Sequence, residues 1–194
     1  SSGVVDISIN GYSACAVMAS GGVKCWGENG NKKLGDGTSS TNSSVPVNVI
    51  GISNAVGVTV GGYHACALLN NGTVNCWGSN FSGQLGRGTI TVAETPGLAS
   101  GLSGVEAVAA GNYHTCAALG DGTIKCWGKG GSGQLGNGAT ADSASPVTVS
   151  GIACAAAVNG ACGGPGACSA GSVSGDNGLT SCGTTRTWTC NGSG

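Results

Sequence analysis

A threefold internal repeat of about 50 residues is the feature that most constrains this sequence. The first cysteines of the three units, Cys15, Cys66 and Cys116, recur at intervals of 51 and 50 residues, and Cys-Trp-Gly follows each one. A Gly-Gln-Leu-Gly stretch or a degraded version of it comes next. Each unit then closes with a proline: Pro46, Pro96 and Pro146. Such a repeat indicates an architecture in which each unit buries its apolar surface against its neighbours.

Within each unit the apolar pattern is that of β-strands. Val56, Val58 and Val60 alternate with other residues, and the short apolar runs end at Gly, Asn or Ser. Four short strands per unit are typical of a propeller blade. The sequence therefore predicts an all-β fold, a partial β-propeller of three four-stranded blades over about residues 1–50, 51–101 and 102–152. A small disulfide-rich segment, rich in Gly and Ala, follows at 153–194.

The spacing of the repeat cysteines predicts disulfides across hairpins. In the second unit, a turn at residues 70–72 with Gly72 in the left-handed conformation puts Leu69 opposite Thr73, and Cys66 opposite Cys76. Facing residues of antiparallel strands lie close enough to be bridged. The predicted pairs are Cys15–Cys25, Cys66–Cys76 and Cys116–Cys126. Metal binding by a reduced protein is the alternative, but the sequence lacks the close Cys-x2–4-Cys pairs of structural zinc sites.

The C-terminal segment carries an odd number of cysteines, and their pairing stays open. These are Cys154, Cys162, Cys168, Cys182 and Cys190. An odd count in an oxidised protein indicates a missing partner. We expect either that the segment is truncated before a further cysteine or that it forms an intermolecular disulfide.

Three stretches of the second unit carry a family resemblance. Residues 62–68, 72–78 and 83–86 read GYHACAL, GTVNCWG and GQLG, and they resemble the regulator-of-chromosome-condensation repeat. The resemblance covers roughly residues 4–152 and is weakest at 11–35. It implies a β-propeller, and known members have seven blades. Three repeats would leave two blade faces uncovered, so we expect either a fragment of a longer protein or completion by other chains.

The resemblance also bears on compartment. The version with a cysteine pair in each repeat is similar to a bacterial extracellular branch of the family, and residues 153–194 resemble a cysteine-rich surface-protein module. Disulfides persist in oxidising compartments, so an extracellular or cell-surface location is expected. The first residues do not read as a signal peptide, which indicates that a leader was removed or that the chain begins inside a larger protein.

Charge and hydropathy argue against several classes of partner. Charged residues make up 8% of the sequence, and the formal net charge is −1. Nonspecific binding to nucleic acid requires clustered Lys and Arg, which this sequence lacks. Its apolar runs fall short of the roughly 20 residues that span a bilayer. We therefore expect neither nucleic-acid binding nor membrane insertion.

Residues that could carry chemistry follow the repeat rather than forming a site. His64 and His114 share one repeat position, and the resemblance implies that their rings are structural and bond the backbone of their own blade. The recurring tryptophans are expected to pack against the disulfides and neighbouring blades: Trp26, Trp77 and Trp127. The sequence shows no catalytic elbow, phosphate loop or calcium loop. We expect no enzyme activity, no metal and no cofactor.

Loops that depart from the repeat are the candidate contact sites, because rim loops vary without disturbing the stacked strands. The candidates are Phe81, Arg87, Ile90, Lys32 and Lys33. The sequence favours a non-enzymatic extracellular or cell-surface scaffold for adhesion or assembly. It is expected to bind a protein or surface partner, and self-assembly with other copies of the chain is a further expectation. The alternatives are a secreted inhibitor-like binder, then an exchange factor for a small GTPase, and last a propeller enzyme.

Overall fold

Short alternating apolar runs form twelve β-strands over residues 3–39 and 41–152, which are the residues that the computed structural model describes. The strands are β1 Val4–Asn10, β2 Ser13–Met18, β3 Val23–Gly27, β4 Ser43–Asn48, β5 Ala55–Val60, β6 His64–Leu69, β7 Val74–Ser79, β8 Ala93–Leu98, β9 Val105–Ala110, β10 His114–Leu119, β11 Ile124–Gly128 and β12 Ser143–Thr148. A 3-10 helix at Gly30–Lys32 lies between β3 and β4. The predicted C-terminal module and its five cysteines lie outside the described residues.

Each repeat folds into one antiparallel sheet with its strands in chain order. The sheets are β1–β4, β5–β8 and β9–β12, here called the first, second and third blades. The predicted all-β architecture of three four-stranded blades is confirmed. In each blade the closing proline lies on the outer strand, where a residue without an N–H is tolerated because the strand has a free edge.

The hairpin register follows from the turn. Gly72 has φ +73°, the Leu69 N–H donates to the Thr73 carbonyl at 2.9 Å, and Cys66 faces Cys76. The Cα atoms of these two cysteines are 4.0 Å apart, as expected of facing residues that exchange no backbone hydrogen bonds. The same facing occurs in the other two blades, and all six repeat cysteines are joined in pairs: Cys15–Cys25, Cys66–Cys76 and Cys116–Cys126.

The inner strands β1, β5 and β9 lie side by side, and side chains satisfy their free backbone donors. The N–H groups of Val58 and Val60 donate to Asp6 Oδ2 at 2.8 Å and to Ser8 Oγ at 3.0 Å. At the next junction the Ala110 N–H donates to Thr59 Oγ1 at 3.0 Å. Buried N–H groups require partners, so these side chains replace the ladder bonds that separate blades cannot make.

Apolar packing runs from blade to blade. One buried cluster joins the disulfide of the first blade to Trp77 of the second, and another joins the disulfide of the second blade to Trp127 of the third. The indole N–H of Trp77 donates to the Lys33 carbonyl at 2.8 Å, and that of Trp127 to the Gln84 carbonyl at 2.9 Å. The expected packing of tryptophan between disulfide and neighbouring blade is confirmed for these two residues.

Candidate binding rim

One rim of the arc carries the connections between the first and second strands and between the third and fourth strands of each blade. Residues 11–12, 61–63 and 111–113 form the first set, and residues 28–42, 80–92 and 129–142 form the second. Backbone bonds join the two sets in each blade. The N–H groups of Glu28, Ser79 and Lys129 each donate at 2.9 Å to the carbonyl of a tyrosine. We call this edge the tyrosine rim.

Every tyrosine of the sequence lies on this rim, at one repeat position: Tyr12, Tyr63 and Tyr113. The rings of Tyr63 and Tyr113 stack, with centroids 4.7 Å apart and planes 17° from parallel. Lys129 Nζ lies 5.2 Å from the centroid of the Tyr113 ring. A hydrogen bond with the Tyr63 side chain raises the pKa of the Tyr113 hydroxyl. Tyr12 is 83% exposed. The recurrence is visible in the sequence, but the sequence analysis above did not predict these residues as rim contacts.

The second blade presents apolar side chains on this rim. Phe81 is 59% exposed and Ile90 is 61% exposed, as the contact prediction requires, and Val92 adds a third exposed side chain that the sequence analysis missed. The buried Asn80 holds the loop together, because its Nδ2 donates to the Thr89 carbonyl at 2.9 Å and its backbone N–H to the Val92 carbonyl at 3.2 Å. The loop that carries the apolar side chains is therefore fixed at both ends.

Arg87 lies among these loops but is bonded within its own blade. Its guanidinium forms a salt bridge with Glu94 and donates at 2.7 Å to the carbonyls of Cys76 and Thr95. Only 18% of its side chain is exposed. The residue fixes the outer strand β8 against β7: both terminal nitrogens of its guanidinium are engaged and its Nε is buried, so it offers little to a partner.

The two lysines of the first blade differ. Lys33 is buried, and its Nζ donates to the Gly62 carbonyl at 2.9 Å and to the Asn10 carbonyl at 3.5 Å. Burial lowers the pKa of Lys33, and the nearby Glu28 opposes that shift. The prediction of Lys33 as a contact residue is therefore wrong, because its ammonium group binds the second blade. Lys32 is half-buried in the 3-10 helix, with φ +62°.

His64 is structural, but the bonding that the sequence predicted for it is wrong. Its ring is fully buried, and Nε2 lies 2.7 Å from Thr115 Oγ1, a side chain of the third blade rather than backbone of its own. Burial, with smaller contributions from Lys33 and His114, lowers the pKa of His64 to about 3. The pKa of the half-buried His114 is also lowered by burial. Within residues 3–39 and 41–152, no three His, Cys, Asp or Glu side chains are grouped to hold a metal ion.

No helix in the described part of the chain is long and apolar enough to cross a bilayer. The arrangement on the rim is suited to binding, because the loops present exposed aromatic and aliphatic side chains. Such side chains are the usual anchors of protein interfaces.

Two sequence profiles of the regulator of chromosome condensation (RCC1) repeat match this chain. One matches residues 20–68, 71–118 and 121–167, and the other matches residues 4–32, 55–84 and 105–134. The chain belongs to the RCC1 repeat family. Within the RCC1 repeat, the stacked tyrosines and the His64–Thr115 contact both involve residues just before the first cysteine of a unit.

Curated RCC1 relatives match about half of the chain. The human E3 ubiquitin-protein ligase HERC2 is 37% identical over 98 residues, which are 50% of this chain and 2% of that protein. The mitochondrial RCC1 domain-containing protein RUG3 of Arabidopsis thaliana is 31% identical over 94 residues, or 48% of this chain and 21% of that protein. The chain thus spans a small part of the length of these relatives.

Solved structures share the fold. Human WBSCR16 aligns with a TM-score of 0.67 and 26% identity, over 76% of this chain and 40% of that one. Prp20p of Saccharomyces cerevisiae, whose binding to Gsp1p and histones was studied, aligns with a TM-score of 0.66 and 18% identity. That alignment covers 74% of this chain and 37% of Prp20p.

Proposed function

We propose that this chain is a non-enzymatic scaffold, extracellular or at the cell surface, that binds protein or surface partners through its tyrosine rim in adhesion or assembly. The observation that carries the proposal is the exposed apolar group Phe81, Ile90 and Val92, held on a disulfide-linked blade. Large apolar side chains on a rigid frame lose little entropy on binding and form interface anchors. Propellers of the RCC1 repeat family are generally protein-binding scaffolds, which supports this assignment.

The compartment is part of the proposal. Three disulfides within 112 residues of chain, from Cys15 to Cys126, are expected where thiols are not kept reduced. A weakly charged sequence fits contact with a neutral partner better than contact with nucleic acid. A count of free thiols in the natively isolated protein tests this step. Six free thiols among the repeat cysteines would contradict an oxidising compartment.

Two blade faces lack a neighbour among the described residues. We call the face of a blade toward the preceding blade its leading face and the face toward the following blade its trailing face. On the leading face of the first blade, Ile7 and Ile9 are 59% and 74% exposed, whereas Val58 and Val60 at the same repeat positions are 7% and 3% exposed. The trailing face of the third blade carries the side chains of His114, Cys116 and Gln134, all partly exposed, whereas their counterparts in the second blade are buried. We propose that further blades cover both faces. A further repeat of a longer polypeptide or another copy of the chain can supply them.

Substitution on the rim tests the binding role. The purified oxidised chain is first cross-linked to its partner in the native medium or on the native cell surface, and the partner is then titrated against variants. We expect Phe81→Ser with Ile90→Ser to weaken binding at least tenfold, because two anchors are lost. Val45→Ser, at an exposed valine of the outer strand β4, is the matched control and should bind like the parent chain. Unchanged binding of the double variant would contradict the proposed contact site.

The alternatives differ in their partner. A secreted inhibitor-like propeller would bind one soluble protein tightly, so cross-linking in cell-free medium would recover a single stoichiometric partner. An exchange factor for a small GTPase is the third candidate, and the fold shared with Prp20p supports it. Acceleration of nucleotide release from a GTPase by the chain, with the repeat thiols reduced, would favour that function over the scaffold.

A further inference from the structure

The two junctions between blades are built from different residue pairs. At the second junction, the residue two positions before the first cysteine of the second unit meets the residue one position before the first cysteine of the third unit. His64 of the second blade meets Thr115 of the third, whereas Ser13 and Ala65 hold these positions at the junction of the first and second blades. Each junction thus combines the residue two positions before the cysteine in one unit with the residue one position before the cysteine in the next unit.

The second junction is polar and centres on one hydroxyl group, while Nδ1 of His64 and Nε2 of Gln84 are buried without a hydrogen-bond partner. Thr115 Oγ1 lies 2.7 Å from His64 Nε2 and donates to the Gln84 carbonyl at 2.9 Å. Both His64 and Thr115 are 0% exposed. Nε2 is the only ring nitrogen of His64 that has a partner, and leaving it unpaired as well would cost further free energy, so a histidine at this position favours a hydroxyl side chain opposite it.

The histidine also constrains its own blade. The position five residues before the cysteine is Gly61 in the second blade and Gly111 in the third, and a Cβ atom there would lie 2.7 Å and 2.3 Å from Cε1 of His64 and His114. The first blade, which has Ser13 in place of histidine, has Asn10 at this position. Glycine therefore accompanies histidine because the ring occupies the space of a side chain.

The trailing face of the third blade is arranged for a polar junction. His114 lies against Gly111 as His64 lies against Gly61. Gln134 holds the position of Gln84, whose backbone carbonyl accepts hydrogen bonds from the Thr115 hydroxyl and the Trp127 indole N–H. His114 and Gln134 are partly exposed, whereas His64 and Gln84 are buried.

We propose that the trailing face is a docking surface for a further propeller blade that carries threonine or serine at the position of Thr115. This inference rests on the proposal that further blades cover the open faces, and it specifies which blade fits. A second copy of this chain presents Ala14 at that position. Burying His114 against Ala14 leaves Nε2 without a hydroxyl partner, which weakens the junction by about tenfold or more.

Self-association of the full oxidised chain tests the inference. We expect Ala14→Thr to strengthen head-to-tail association at least tenfold over the parent chain, measured by sedimentation and light scattering, because His114 then gains its partner. Ala14→Thr with His114→Ala should return to the parent's association, since the gain depends on the pair. Ala141→Thr, at an exposed loop residue, is the control for the added hydroxyl and should behave like the parent.

Two results would overturn the inference: an Ala14→Thr chain that associates no more tightly than the parent, or a gain in association that survives His114→Ala. Circular dichroism of each variant shows that the blades are folded. The binding experiment on Phe81 and Ile90 does not involve either open face, so its outcome separates failure of the rim function from failure of the junction.

Discussion

His64 shows how one residue can depend on a neighbouring blade. Its ring is fully buried and bonded to Thr115, and burial lowers the pKa of its imidazole to about 3. The folded protein therefore holds the neutral form, whereas the unfolded chain takes up a proton near pH 6.5. Between these values the unfolded state binds more protons, so the stability of the fold is fully present above about pH 6.5 and falls as the pH is lowered toward 3.

Denaturation at several pH values measures this effect. We expect the free energy of unfolding to fall between pH 6.5 and pH 4.5 with a slope approaching about 1.4 kcal/mol per pH unit from His64. His114 adds a contribution in the same direction, because burial lowers its pKa too. His64→Ser copies the residue of the first blade and should reduce the slope. An equal slope in the variant would show that His64 does not titrate between the folded and unfolded states.

The recurring tryptophans offer a second measurement at single-residue scale. Trp127→Phe removes the donor to the Gln84 carbonyl from a fully buried site, and we expect a loss of about 1–3 kcal/mol in unfolding free energy. Trp26→Phe is the matched control, because Trp26 is only half-buried on the leading face and should lose less. Equal losses, measured by urea denaturation, would argue against a stabilising role for the junction bond.

Pairings within a hairpin were predictable from sequence, as was the packing of the recurring tryptophans, but polar contacts between blades were not. The turn at Gly72 alone determines that Cys66 faces Cys76. The partner of His64 lies 51 residues away, beyond the reach of any local pattern. Lys33 was predicted as a contact residue because its loop departs from the repeat, yet the carbonyl groups of Asn10 and Gly62 accept hydrogen bonds from its ammonium group.

At the scale of the strand and hairpin, a cross-strand disulfide recurs in every blade. Each one joins the central two strands of a blade, and the outer strand carries the proline. An outer strand is a free edge, and proline discourages pairing with other chains because it has no N–H to donate. The sequence predicted the hairpins because their spacing is short and fixed. It did not predict the inner strand contacts, which depend on side chains such as Asp6 and Ser8 of another blade.

Removal of one disulfide measures its contribution. Replacing Cys66 and Cys76 together by alanine opens a loop with a sequence separation of 10. We expect a loss of about 2–3 kcal/mol in unfolding free energy, since the unfolded chain regains conformational freedom. The pair Cys116 and Cys126 is the comparison, and a similar loss is expected there, because the loop has the same length. A loss near zero at both pairs would show that the hairpin is equally restricted without the bond.

At the scale of the whole arc, the second blade differs from the other two because it is covered on both faces. Its strands β6 and β7 are almost entirely buried, whereas β1 alternates exposed and half-buried residues. In a repeat protein the stability of a unit is approximately its own stability plus the terms for its two interfaces. The first and third blades each lack one of those terms among the described residues.

Hydrogen exchange of the oxidised chain should therefore follow blade position. We expect the backbone amides of β6 and β7 to exchange most slowly, and those of β1, β2, β11 and β12 to exchange faster by a factor that reports the missing interface energy. Adding a blade that covers the trailing face should slow exchange in β10 and β11 and leave β1 unchanged, since each interface term acts on the units that share it. Uniform protection across the three blades would instead mean that the arc unfolds only as a whole, and that its open faces carry no local energetic cost.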